Sequence, residues 1–100
     1  MWARRAMISW AWELHPVIIR LQDRLDALYT DAVLRQDKIT TAEELQKCLE
    51  DQTRYTRGIE ICSQYLYNEI YVDIFCDKML EADLELYLSS YVKPIYNYDL

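Results

Sequence analysis

The sequence predicts an all-α protein, a small bundle of four to five helices forming a single domain over residues 1–100. Three observations carry this expectation. One glycine and two prolines in 100 residues are too few for the tight turns of a sandwich, a barrel or a phosphate-cradling loop. Apolar residues recur at intervals of three and four along most of the chain. Apolar types supply 52% of the residues and charged types 28%, which is too hydrophobic for disorder and too often interrupted by charge for a membrane span.

A first helix is expected from Trp2 to about Leu14, because Pro16 removes a backbone donor and biases His15 away from helical angles, marking a kink or a restart. The segment before it carries Arg4, Arg5, Trp2, Trp10 and Trp12. Its apolar stretch is short, is interrupted by Ser9 and lacks a small-residue cleavage site, so no secretory signal is expected. A mitochondrial presequence or a membrane-surface helix competes with a helix that buries its tryptophans against the bundle, and the buried helix is preferred. From Val17 to Gln36 the pattern is the clearest in the sequence, with Ile18, Leu21, Leu25, Leu28, Tyr29 and Ala32 on one side. Asp31 stands four residues before Arg35, an orientation that supports a helix by about 0.2–0.5 kcal/mol.

Residues 37–40 form a short polar link, after which Thr41 and Glu44 make the T-x-x-E pattern of a capping box. The helix that starts there is expected to be long. Gly58 falls inside its stripe and either ends one helix or weakens a continuous one by about 1 kcal/mol relative to alanine. From Ile59 to Cys76 apolar residues surround the axis, so a helix there must be covered nearly all round. A strand is the competing reading of the same stretch, but no second run offers a pairing partner. A last helix is expected from Asp77 to about Val92, stopped by Pro94, with Ile95–Leu100 as a tail.

The net charge of −6 is unevenly spread. Residues 1–40 hold six bases and five acids, whereas residues 41–100 hold five bases and twelve acids. The acidic half repels phosphate backbones and attracts basic proteins, so no direct nucleic-acid contact is expected. Cys48, Cys62 and Cys76 form no C-x-x-C pair and leave one thiol over in any disulfide scheme, which favours a reducing, cytoplasmic setting and a role as small buried hydrophobes. No metal or other cofactor is expected, since the lone His15 and the cysteine spacing match no zinc knuckle.

Catalysis is not expected either. The chain has one histidine, no G-x-S-x-G elbow and no glycine-rich loop. Acids around Cys62 and Cys76 raise a thiol's pKa and oppose a nucleophilic role. The acids Asp77, Glu81, Asp83 and Glu85 lack the glycine and spacing of a calcium loop. What remains is aromatic content among acids: seven of nine tyrosines follow residue 60. Rigid rings with polar tips suit protein interfaces, and acids between them select basic partners. The expected partner-binding residues are therefore Tyr65, Tyr67, Tyr71, Asp73, Asp77, Glu81 and Glu85, in a protein expected to be a homodimer.

The function this predicts is non-catalytic: a small inhibitor of the anti-defence, immunity or regulatory kind whose acidic half masks a basic surface of another protein. Two alternatives stand beside it. A chaperone or assembly subunit would hold a partner's hydrophobic helix on the Ile59–Cys76 segment. A DNA-binding regulator would use Arg4, Arg5, Arg20 and Arg24 on one exposed face.

Overall fold

In the computed structural model, which describes residues 11–96, the chain is helices joined by short turns, with no strand among those residues. Four helices follow one another: α1 (Ala11–Gln36), α2 (Ala42–Leu66), α3 (Val72–Glu81) and α4 (Glu85–Tyr96). None of them is long and apolar enough to cross a membrane.

Along α1, Leu14, Ile18, Leu21, Leu25 and Ala32 are all buried, the stripe that the 3.6-residue period places on one face. The helix runs through Pro16 and does not restart there as expected. A proline inside a helix removes one hydrogen bond and costs about 3 kcal/mol, but Leu14 and Ile18 on either side are both buried and hold both flanks in the core. The expected segment Trp2–Trp10 lies outside the described residues.

The link predicted at residues 37–40 returns the chain antiparallel to α1. Thr41 caps α2 as expected, with φ −111°, ψ 149° and its hydroxyl oxygen accepting the Glu44 backbone N–H at 3.2 Å. Early residues of α1 meet late residues of α2. Gln22 Nε2 donates to Ser63 Oγ at 2.8 Å and to the Ile59 carbonyl at 3.1 Å. Toward the link, Gln52 Nε2 donates to Gln36 Oε1 at 2.8 Å, and Cys48 Sγ donates to the Ala32 carbonyl at 3.1 Å.

Gly58 does not break α2. It is buried mid-helix, where the backbone of α2 comes close to two leucines. A Cβ built on Gly58 would lie 2.6 Å from Leu84 Cδ1 and 2.8 Å from Leu25 Cδ1. The glycine is there for this close approach rather than for a turn.

The helix instead ends at Leu66, through a left-handed residue that is not glycine. Asn68 has φ 61°. The Glu69 N–H donates to the Gln64 carbonyl at 2.8 Å and the Asn68 N–H to the Tyr65 carbonyl at 3.0 Å, the two bonds of a Schellman motif. The same device ends α3. Asp83 has φ 61°, with Leu84 N–H to the Met79 carbonyl at 3.0 Å and Asp83 N–H to the Leu80 carbonyl at 3.1 Å. Here the apolar pair that accompanies the motif is present, since Met79 and Leu84 are both fully buried.

These two corners correct the expected boundaries. The stretch Ile59–Cys76 is neither one helix nor a strand, because it is cut by the turn at residues 67–71. The expected last helix from Asp77 is likewise cut at residues 82–84, and Asp77 lies inside α3. Pro94 falls within α4, so the helix extends beyond the expected stop at Val92, and only residues 97–100 of the expected tail lie outside the description. One cluster of buried side chains joins all four helices.

Replacing Gly58 tests its role by sign. Alanine gains about 1 kcal/mol of helix propensity but forces two buried leucines aside, and overpacking costs about 1–3 kcal/mol. Gly58→Ala should therefore lower urea-unfolding stability by about 1 kcal/mol net, and Gly58→Val by about 3 kcal/mol. A glycine that merely interrupted the helix would give alanine a gain.

Candidate protein-interaction face

The corners at Asn68 and Asp83 make α3 a short separate helix with one face inward and one outward. Val72, Phe75, Cys76 and Met79 are buried. At about 100° per residue, Asp73, Asp77 and Glu81 form a stripe within roughly 80° of arc on the other side, and Ile74 and Leu80 border it. Asp77, Glu81, Ile74 and Leu80 are exposed, and Asp73 is half-buried. Lys78, the one base of α3, is half-buried at the edge and donates to Gln64 Oε1 at 3.1 Å.

Two tyrosines stand at the entrance to this face. Tyr67, the last residue of the α2 cap, is 77% exposed, and Tyr71, at the N-cap of α3, is 83% exposed. Tyr71 has extended backbone (φ −82°, ψ 166°) and its side chain makes no cap hydrogen bond. Ile74 and Leu80, at the two edges of the acidic stripe, are exposed as well, by 40% and 36%.

Tyr65 does not belong to this face. It is only 5% exposed, one turn earlier on the inner side of α2, with its ring 5.4 Å from Phe75 and 5.3 Å from His15 between centroids. Burial raises the pKa of its phenol. It is a core residue because α2 ends one residue later, a boundary that periodicity alone does not locate. Tyr55 and Tyr87 also face inward, meeting edge to face at 6.0 Å with hydroxyl oxygens 3.3 Å apart. That hydrogen bond, with burial, raises the Tyr87 pKa.

Among the expected acids, two have a structural role. Asp73 lies in the first turn of α3 and Glu85 in the first turn of α4, where a negative charge is stabilised by about 0.3–1 kcal/mol. Asp77 and Glu81 lie away from any helix start. Ile74 and Leu80, which border the face, are exposed apolar residues. The signal that places them outside is the pair of left-handed corners, written in the sequence as Tyr-Asn-Glu and Ala-Asp-Leu.

The other candidates are placed differently. Arg20 and Arg24 are exposed one turn apart on α1, while Arg4 and Arg5 lie outside the described residues, as does the side chain of Trp12. The apolar groups of residues 59–76 are divided between α2 and α3, and Ile61, Cys62, Tyr65, Val72, Phe75 and Cys76 are consumed by the chain's own core. Among the described residues no three or more His, Cys, Asp or Glu side chains are grouped to hold a metal ion. Arg54 links α2 to the α3–α4 corner, with Nη2 2.9 Å from Asp51 Oδ1 and Nη1 3.8 Å from the exposed Asp83 Oδ2.

All three cysteines are free and buried. Burial pushes the Cys62 thiol up to about 12 from an ordinary 9.0. Burial also raises Cys76, with Asp77 and Asp73 adding to it. A thiol held neutral is a poor nucleophile, so Cys62 and Cys76 act as small hydrophobes. Comparison with protein-family models, with curated proteins and with solved structures finds no match.

Two measurements follow from this placement. Tyr65→Ala should destabilise the fold by about 3–5 kcal/mol, as loss of a buried aromatic does, whereas Tyr71→Ala should change stability by no more than about 0.5 kcal/mol. Because the folded state holds the Cys62 proton more tightly than the unfolded chain, that thiol's contribution to stability is complete below pH 9 and is lost as pH rises toward 12. Denaturation followed across that window should show a shallower alkaline loss in Cys62→Ala than in the parent chain.

Proposed function

We propose that this chain acts without catalysis, binding another protein through the outer face of α3 and the tyrosines of the α2–α3 turn. The observation that carries the reading is the exposure of Tyr67 and Tyr71 at the turn into the helix that exposes Asp77 and Glu81. Two exposed rings at the N-terminal end of α3 precede a pair of exposed carboxylates that no helix start requires. Such a surface suits a basic segment: its arginines stack on the rings and pair with the acids. In its most concrete form the protein is a small inhibitor that covers a basic, nucleic-acid-holding surface of its partner. Three free, buried thiols fit a reducing compartment such as the cytoplasm.

The assembly-subunit reading would use the same stretch, of which Ile61, Cys62, Tyr65, Val72, Phe75 and Cys76 are buried and Tyr67, Tyr71 and Ile74 exposed.

A fluorescently labelled lysine- and arginine-rich peptide is a direct probe. Binding should weaken steeply between 0.1 and 1 M salt, as the Debye length falls from about 10 Å to about 3 Å. Asp77→Lys with Glu81→Lys should weaken it at least about 10-fold, and Tyr71→Ala should weaken it without changing the salt slope. Binding that ignores these substitutions, or no binding at 0.1 M salt, refutes the proposal.

A further inference from the structure

The α1–α2 hairpin has a second face, on the side away from α3 and α4. On α1 the buried stripe is shadowed one residue later by His15, Ile19, Gln22, Asp26, Tyr29 and Val33, spaced four and three. On α2 the matching stripe is Leu45, Leu49, Gln52, Thr56, Ile59 and Ser63, with the same spacing. All twelve are exposed or half-buried. The Gln22–Ser63 hydrogen bond joins the two stripes across the seam of the hairpin. The groove between them is lined by α1 and α2 residues alone, Tyr29, Leu49, Gln52 and Thr56 among them. The bonds and packing to α3 and α4 use other positions of α2: Arg54, Tyr55, Gly58, Gln64 and Tyr65.

Charge sets this face apart. Asp26 is the one acid of the two stripes, which hold no lysine or arginine, in a chain that is 28% charged; Arg57 and Glu60, which also line the groove, pair with each other at 3.3 Å. Ile19, Val33, Leu45 and Leu49 are all exposed on it, Leu49 by 40% and Val33 by 38%. Depletion of charge with retention of apolar and uncharged polar groups is the composition of an interface centre. The four–three spacing on both helices is that of a seam that packs knobs into holes against further helices.

We infer that the occupant is a second copy of this chain, packed hairpin against hairpin about a twofold axis into a four-helix layer. Two reasons select a second copy. With a net charge of −6, two copies repel through most of their surface, and a face of low net charge, with Arg57 and Glu60 paired to each other, lets them meet with little like-charge cost. The size also fits. The stripes, over residues 15–33 and 45–63, side by side present a face on the order of 570 Å² at about 1.5 Å per residue and roughly 10 Å per helix, so a pair would bury about 1,100 Å², above the roughly 1,000 Å² that a specific interface has to clear. A twofold dimer is also the commonest closed assembly. The face of α3 is left free on both subunits.

Light scattering on the eluting full-length chain at about 100 μM tests this. The expected mass is twice 12.1 kDa. Val33→Glu with Leu49→Glu should raise the dissociation constant at least about 30-fold with helical circular dichroism unchanged. Leu86→Glu, at a 75% exposed position of α4, should leave the dimer intact. If the double variant loses helicity, Thr56→Arg at an exposed position of the same stripe takes its place. A parent chain that runs as a monomer, or a dimer that survives the folded stripe variants at unchanged affinity, overturns the inference.

Discussion

The fold turns on one place where three elements converge. Gly58 of α2 lies against Leu25 of α1 and Leu84 of the α3–α4 corner, so close that a single methyl group on its Cα would meet both leucines. Leu25 and Leu84 are each fully buried, and burying a leucine contributes about 1.5–3 kcal/mol. Without a glycine at 58 the ends of both leucine side chains have to shift, which disturbs the packing of α3 and α4 on the hairpin. Their present position decides which side of α3 is spent on the core and which is turned to solvent. The outward stripe of Asp77 and Glu81, flanked by Ile74 and Leu80, is thus a consequence of packing some distance away along the chain.

Much of the hairpin was legible from residue spacing. The inner stripe of α1, the Thr41 cap and the Asp31–Arg35 pair, whose Nε and Oδ2 lie 3.2 Å apart, all follow from local rules. What spacing did not reveal were the two places where the chain turns. Helix ends are usually announced by glycine, and here the only glycine is used for close packing. The left-handed corners fall to Asn68 and Asp83, whose short polar side chains tolerate that backbone. With no glycine to mark them, residues 59–76 read as one apolar cylinder and 77–92 as one helix. Pro16 and Pro94 misled in the opposite sense, since buried neighbours carry α1 past the first and α4 includes the second.

The candidate face was partly legible for the same reason. Tyr67, Tyr71, Asp77 and Glu81 were identifiable as rings among acids, and they are exposed. Tyr65 has the same composition around it but precedes the end of α2 by one residue, which places it against Phe75 and His15. Exposure is a property of where helices end, and composition alone does not carry it. The charge-poor stripe of the hairpin shows the converse. Its mixture of leucine, isoleucine, glutamine and threonine is unremarkable in sequence and gains meaning only when α1 and α2 are laid side by side. Together the two faces give the protein a division of surfaces: an acidic, ring-bearing one on α3 and one of low net charge on the hairpin.

The convergence at residue 58 is tested most directly by a double-mutant cycle combining Gly58→Ala with Leu84→Ala, read by equilibrium unfolding. Leu84→Ala alone should cost about 2–5 kcal/mol. If the account is right, the added methyl fills part of the space the truncated leucine leaves, and the double variant is more stable than the sum of the single losses by at least about 1 kcal/mol. Strictly additive losses would mean that Gly58 and Leu84 do not share that space, and would contradict the arrangement from which the outward face of α3 follows.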